Sequence, residues 1–157
     1  DPVCGRLSWQ VCRSGSSPHA YPEHLEAGTQ NLVGIAALNA GVQYVASHQK
    51  EIIEKERFLL ERIYSGLEGY VEFYSSLQNS TSIVAFNIPH KDSAYVSDVL
   101  NYKYGIITRC GAHCAPLMHK HLKTEEKGIV RLSLSFQNSI EDIDLAICAI
   151  REISNDY

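Results

Sequence analysis

The sequence predicts a two-layer α+β fold, in which helices cover one face of a small, mostly antiparallel sheet. Two observations carry that expectation. Apolar residues recur at helical spacing in the first part of the chain and again at its end. Between them lie short runs rich in β-branched and aromatic residues, punctuated by Pro89 and Gly105. The resulting order is α-α-β-β-α-β-β-α, with no internal repeat.

Residues 1–24 differ from the rest. They are rich in Ser, Gly, Arg and Pro and hold no sustained period, so they read as an irregular arm that could not fold alone. Residues 25–157 read as one domain. Thr29 is expected as the N-cap of a helix running to about Ser47, with Leu32, Ile35, Leu38, Val42 and Val45 on its apolar stripe. A second helix is expected over about Gln49 to Leu67. Ile52, Ile53, Leu59, Leu60, Ile63 and Leu67 form its core face, and Glu51, Glu54, Lys55, Glu56 and Arg57 its wet face. Both stripes are expected to be core. Tyr70 to Tyr74 and Ser82 to Ile88 read as strands. Asp92 or Ser93 caps a helix that ends near Tyr104, with Gly105 as its C-terminal stop. Ile106 to Arg109 is expected as a short strand, Cys110 to His113 as a turn, and Ala115 to Leu122 as one or two helical turns. Ile129 to Ser135 is another strand. The last helix covers about Ile140 to Ile153, its first turn made acidic by Glu141, Asp142 and Asp144, as the helix dipole favours.

The bulk numbers narrow the function classes. A chain of 157 residues is long enough for one sizeable core. A net charge of -4 gives no basic face for nucleic acid. No apolar run approaches the roughly 18 residues of a membrane span. No basic stretch leads into an apolar core at the start, so no signal peptide is expected. The five cysteines are odd in number and lack the spacing of a disulfide-stapled domain, which points to a reduced, cytoplasmic setting.

The densest cluster of reactive side chains is Arg109-Cys110-Gly111-Ala112-His113-Cys114-Ala115-Pro116-Leu117-Met118-His119, at a junction of strand and loop. A thiol is a useful nucleophile only as thiolate, and cationic neighbours favour that form. His113 adjoins Cys114, Arg109 lies five residues back, and Gly111 lets the backbone turn sharply. The same residues also read as a core cysteine beside a loop histidine. Arg131 is an arginine in an otherwise apolar strand. Its planar fork suits a carboxylate, while the alternation of Val130, Leu132 and Leu134 with Arg131, Ser133 and Ser135 equally allows it to point to water. Cys110, Cys114, His119 and His121 permit a zinc reading, although zinc modules usually show tighter C-x2-C hooks.

Three segments together resemble the class V aminotransferase family, in its cysteine desulfurase and selenocysteine lyase branch. Glu26-Ala27-Gly28-Thr29-Gln30-Asn31 resembles the family's E-A/S-G-T-x-N segment. Arg109 to Ala115 resembles its R-x-G-x-H-C-A loop. Gly128 to Asp144, through Arg131, Ser133, Asn138, Ser139, Asp142 and Asp144, resembles its R-x-S-x(4)-N-T/S close. They occur in the family's order and span most of the chain. The resemblance implies the small C-terminal domain of a fold-type I, pyridoxal-phosphate-dependent enzyme, with residues 29–48 as its linking helix. It implies Cys114 as the sulfur-accepting nucleophile, Arg131 as the clamp on the substrate carboxylate, and His113 and Arg109 as residues that shape the substrate loop. The implied reaction turns L-cysteine into L-alanine and leaves sulfur on the enzyme. A cysteine-like substrate, a sulfur-acceptor protein and a homodimer follow from the same likeness.

One family segment is missing. The Schiff-base lysine stands in an S-x-H-K context, and neither His90-Lys91 nor His119-Lys120 has it. This polypeptide alone is therefore expected to be inactive, as a fragment, a truncated product or one piece of a split enzyme. Two other readings are a non-catalytic dimerisation or scaffold domain, and the zinc module.

Overall fold

The computed structural model describes residues 29–156. The expected irregular arm, Cys4, Cys12 and Glu26 to Gly28 lie outside the described residues. The chain divides into two units, residues 1–48 and 49–157.

The two helices expected at the start are one 36-residue helix, α1 (Leu32–Leu67). The cap is Asn31 rather than Thr29. Its side-chain oxygen accepts from the Gly34 amide at 2.9 Å, and its carbonyl accepts the first helical bond, from Ile35, at 2.9 Å. The expected break at Ser47 does not form, because no glycine or proline interrupts the helix there. The Ser47 hydroxyl is satisfied inside it, on the carbonyls of Gln43 (2.9 Å) and Tyr44 (3.0 Å). In the first unit the stripe expected as core is exposed instead: Leu32, Ile35, Leu38, Val42 and Val45 all face outward.

In the second unit three strands form an antiparallel sheet in the order β1 (Glu72–Phe73), β2 (Ile83–Asn87), β3 (Val130–Ser133). Val84 pairs with Leu132 and Phe86 with Val130, and all four are buried on one face. Ala85 pairs with Arg131 on the other face, so the alternation read in the sequence holds. The C-terminal half of α1 covers the buried face with Leu59, Leu60, Ile63 and Leu67. Helices α2 (Ser93–Tyr104) and α4 (Ile140–Asn155) add Val96, Leu100, Ile143, Ile147, Ile150 and Ile153. Phe86 is fully buried in this core. Phe86→Ala is expected to cost about 3–5 kcal/mol, read as a lower urea midpoint at unchanged slope.

The caps follow local chemistry. The Asp92 carboxylate accepts from the amides of Ala94 (2.8 Å) and Tyr95 (3.2 Å) at the start of α2. Gly105 ends it in the left-handed region at φ 68°, and the Ile106 amide bonds back to Leu100 at 2.9 Å. That bond takes the Ile106 amide out of any ladder, which is why the strand expected over Ile106 to Arg109 shrinks to a single bridge between Arg109 and Arg131. Ser139 and Asp142 close a capping box on α4, at 3.1 and 2.9 Å. Asp144, expected as a dipole partner, forms a two-bond ion pair with Arg62 of α1, at 2.6 and 2.7 Å. Among the described residues no helix is long and apolar enough to cross a membrane.

Candidate functional site

The cysteine loop leaves the outer edge of β3. Arg109 and Arg131 exchange both backbone bonds, at 3.1 and 2.7 Å. Two residues so paired project their side chains to the same face, here the face away from the helices. Like charges directly opposite each other are unfavourable in a sheet. Arg131 is half-buried, and its Nε is buried with no hydrogen-bond partner. A pair of guanidiniums in this arrangement favours an anion, and the planar fork favours a carboxylate.

Past Arg109 the loop is pressed against the start of β3. The Ile129 amide donates to the Gly111 carbonyl at 3.3 Å. Gly111 adopts φ +85° and Gly128 φ +63°. A Cβ on Gly128 would meet the Gly111 Cα at 2.7 Å and the Ser93 Oγ at 2.8 Å. These glycines let two backbones approach where no side chain fits.

The chain then reverses through a turn closed by Ala115 N donating to Ala112 O at 2.9 Å. Its two central residues, His113 (φ 50°) and Cys114 (φ 57°), both lie in the left-handed region without being glycine. Each such residue is strained by roughly 1–3 kcal/mol, and such strain gathers at functional sites. Cys114 stands exposed at this turn with a free thiol, while Cys110 is half-buried. Helix α3 (Pro116–Leu122) follows, started by its proline and closed by Lys123 at φ 56°.

His113 ties the turn down. Its Nε2 donates to the Ile129 carbonyl at 2.8 Å, which leaves Nδ1 as a bare acceptor, buried and without a partner. Partial burial holds this imidazole below the ordinary histidine value. The charges of Arg131, His119 and Arg109 act in the same direction, and the bond to Ile129 opposes them.

The sequence reading missed Asn87. It is buried at the end of β2, with Nδ2 donating to Gly128 O at 2.8 Å and Oδ1 accepting from Val130 N at 3.3 Å. The amide replaces ladder bonds where Gly128 turns into β3, and an asparagine ending an apolar strand was the available signal. Asn87→Ala strands two buried backbone groups. The expected loss is about 2–3 kcal/mol, with faster exchange of the Val130 amide as the local readout.

His119, considered in the sequence as a zinc ligand, is buried, and its Nδ1 is engaged with the Thr124 hydroxyl at 2.9 Å. Among the described residues no three His, Cys, Asp or Glu side chains are grouped to hold a metal ion. The structure therefore does not bring Cys110, Cys114, His119 and His121 together as a zinc site. Lys91 donates to the Asp156 carbonyl at 2.6 Å, and Lys120 is exposed on α3. Cys148 is free and exposed on α4.

Residues 4–145 match the family model for aminotransferase class-V. The chain is 33% identical over 153 residues to a probable cysteine desulfurase of Methanothermobacter thermautotrophicus, covering 92% of this chain and 37% of that protein. It is 33% identical over 135 residues to a cysteine desulfurase of Escherichia coli O157:H7, covering 84% of this chain and 32% of that protein. Among solved structures it resembles the apo cysteine desulfurase of Thermococcus onnurineus NA1, with a TM-score of 0.76 at 31% identity, over 85% of this chain and 34% of that one. The chain thus spans about a third of the length of the curated relatives it matches.

Proposed function

This chain belongs to the class V aminotransferase family, and from that premise we propose that it is the C-terminal part of a pyridoxal-phosphate-dependent cysteine desulfurase. The observation that supports this reading best is the pairing of an exposed thiol on a strained turn with a guanidinium beside the same loop whose buried Nε has no hydrogen-bond partner. Arg131 binds the substrate carboxylate. Arg109, opposite it, adds positive charge at the rim, and His113 holds the turn against β3.

The cofactor, bound in the complete enzyme, supplies the electron sink that weakens the substrate's C–S bond. Cys114 supplies the nucleophile. Its thiolate attacks the substrate sulfur, an S–S bond forms and the C–S bond breaks. The electron pair goes to the substrate carbon, which takes up a proton and leaves as L-alanine. The sulfur is oxidised to the sulfane level as the carbon is reduced, and Cys114 remains as a persulfide.

The described residues fit the substrate and not the cofactor's anchor. Lys91, Lys103 and Lys127 are engaged with Asp156, Glu152 and Glu72 respectively, and neither they nor Lys50, Lys55, Lys120 and Lys123 stand in the family's S-x-H-K context. The chain alone is therefore inactive in this reading. The exposed stripe of Leu32, Ile35, Leu38, Val42 and Val45 on α1 favours burial against the rest of the enzyme or a second copy, in keeping with a homodimer. A separate sulfur-acceptor protein takes the sulfur from the exposed Cys114. The free thiols at Cys110, Cys114 and Cys148 suit a reducing compartment, and we place the protein in the cytoplasm.

The test of the division of labour is to add pyridoxal phosphate to the purified chain and reduce with borohydride. The expected outcome is no adduct concentrated on one lysine. A stoichiometric adduct on Lys91 or Lys120 would overturn it and return that lysine to the active site.

A further inference from the structure

We propose that His119 is a positioning residue for the sulfur-accepting turn, acting through the ring of His113. The inference rests on the desulfurase reading for its purpose, and on geometry for its content. His119 is 3% exposed. A polar ring so buried must be hydrogen-bonded, and its Nδ1 lies 2.9 Å from the Thr124 hydroxyl and 3.4 Å from the Thr124 carbonyl, on a residue only 1% exposed. The shorter of these, to the hydroxyl, sets the angle of the ring. Both backbone ends are held too, with the His119 amide on Ala115 O at 3.1 Å and the Thr124 amide on His119 O at 2.9 Å.

The ring so aimed lies against His113, with centroids 5.9 Å apart and planes 25° from parallel. The other side of the contact is the bond from His113 Nε2 to Ile129. His113 is therefore held from two directions, by Ile129 at the entry to β3 through a hydrogen bond and by α3 through a ring. It cannot turn over without breaking one of them. The residue it holds in place is its neighbour Cys114, which shares its left-handed turn. An imidazole in this position does what a leucine would not: its polar edge reaches Thr124 while its face supports His113.

The experiment is on the full 157-residue chain, by long-range nitrogen–proton spectra of the imidazoles together with alkylation by iodoacetamide. Cys148, exposed on α4, is the internal reference. In the unmodified chain His113 should appear as the Nε2–H tautomer and titrate below free histidine, with Arg131, Arg109 and His119 as the charged or titratable groups facing it. Thr124→Val removes the hydroxyl at nearly constant volume, and His119→Leu removes the ring. In both, a second His113 tautomer should appear and its titration should move up toward the ordinary value. The ratio of Cys114 to Cys148 alkylation should change by about threefold or more, a small part of what misplacing a reactive group costs. His119→Phe restores a stacked ring without the anchor and should recover part of the ratio.

Folded variants with unchanged His113 signals and an unchanged alkylation ratio would overturn the inference. If His119→Leu does not fold, Thr124→Val decides alone. Failure of the desulfurase reading is seen separately, as a Cys114 that never takes up sulfur in the complete enzyme whatever His113 does.

Discussion

Cys114→Ser is expected to abolish sulfur transfer in the complete enzyme, lowering alanine formation from L-cysteine on the order of 10³-fold or more. A serine hydroxyl is isosteric enough to keep the turn, but it is not ionised near neutral pH and forms no persulfide. Mass spectrometry of the peptide carrying residue 114 should show the added sulfur atom in the parent and none in the variant. Cys110→Ser and Cys148→Ser are the controls, since Cys110 is half-buried and Cys148 lies on a different element. Both should retain the persulfide. Activity that survives Cys114→Ser and disappears with Cys110→Ser would move the nucleophile four residues back and leave the strain at His113 and Cys114 without its purpose.

Arg131→Lys should lower kcat/KM for cysteine by about 10- to 100-fold. Loss of a charge-assisted bond is worth about 1.5–3 kcal/mol, and each 1.4 kcal/mol is about tenfold. Lysine keeps the charge and loses the fork, so the change should fall mainly on KM. An unchanged KM would mean the carboxylate is held elsewhere. Stability makes the companion measurement. Because Arg131 Nε is buried without a partner, Arg131→Met should leave the urea midpoint unchanged or raise it, the pattern of a group kept for binding rather than for folding. A loss of stability in Arg131→Met would mean that the guanidinium is structural.

Much of this was legible in the residues. After Gln49 most elements follow from local rules: a cap at Asp92, one of the two residues expected there, the left-handed stop at Gly105 and a last helix starting at Ile140, because each depends on side chains a few positions apart. The inward face of β3 follows from period-two alternation. The candidate site was legible as a list: the cysteine loop and Arg131 stood out by composition, and their order along the chain carried the family.

What remained was decided by tertiary contact. Local propensity is enough to carry α1 through Ser47, where no glycine or proline intervenes, but it could not say that the stripe from Leu32 to Val45 would stand exposed. It could not shorten the strand after Gly105, because the Ile106 amide is claimed by a cap six residues back. Whether Arg131 faced water or stood unpartnered beside Arg109 was decided by register, which pairs residues 22 positions apart. The part played by Asn87 comes from backbone groups more than forty positions away, and that of His119 from a turn that buries its ring against Thr124 and His113, groups that must satisfy one another once water is excluded. Sequence alone named the residues proposed for the chemistry and most of the elements that carry them. Only the folded chain decided which polar groups are left unsatisfied, because a missing partner can be recognised only after every other group has found its own.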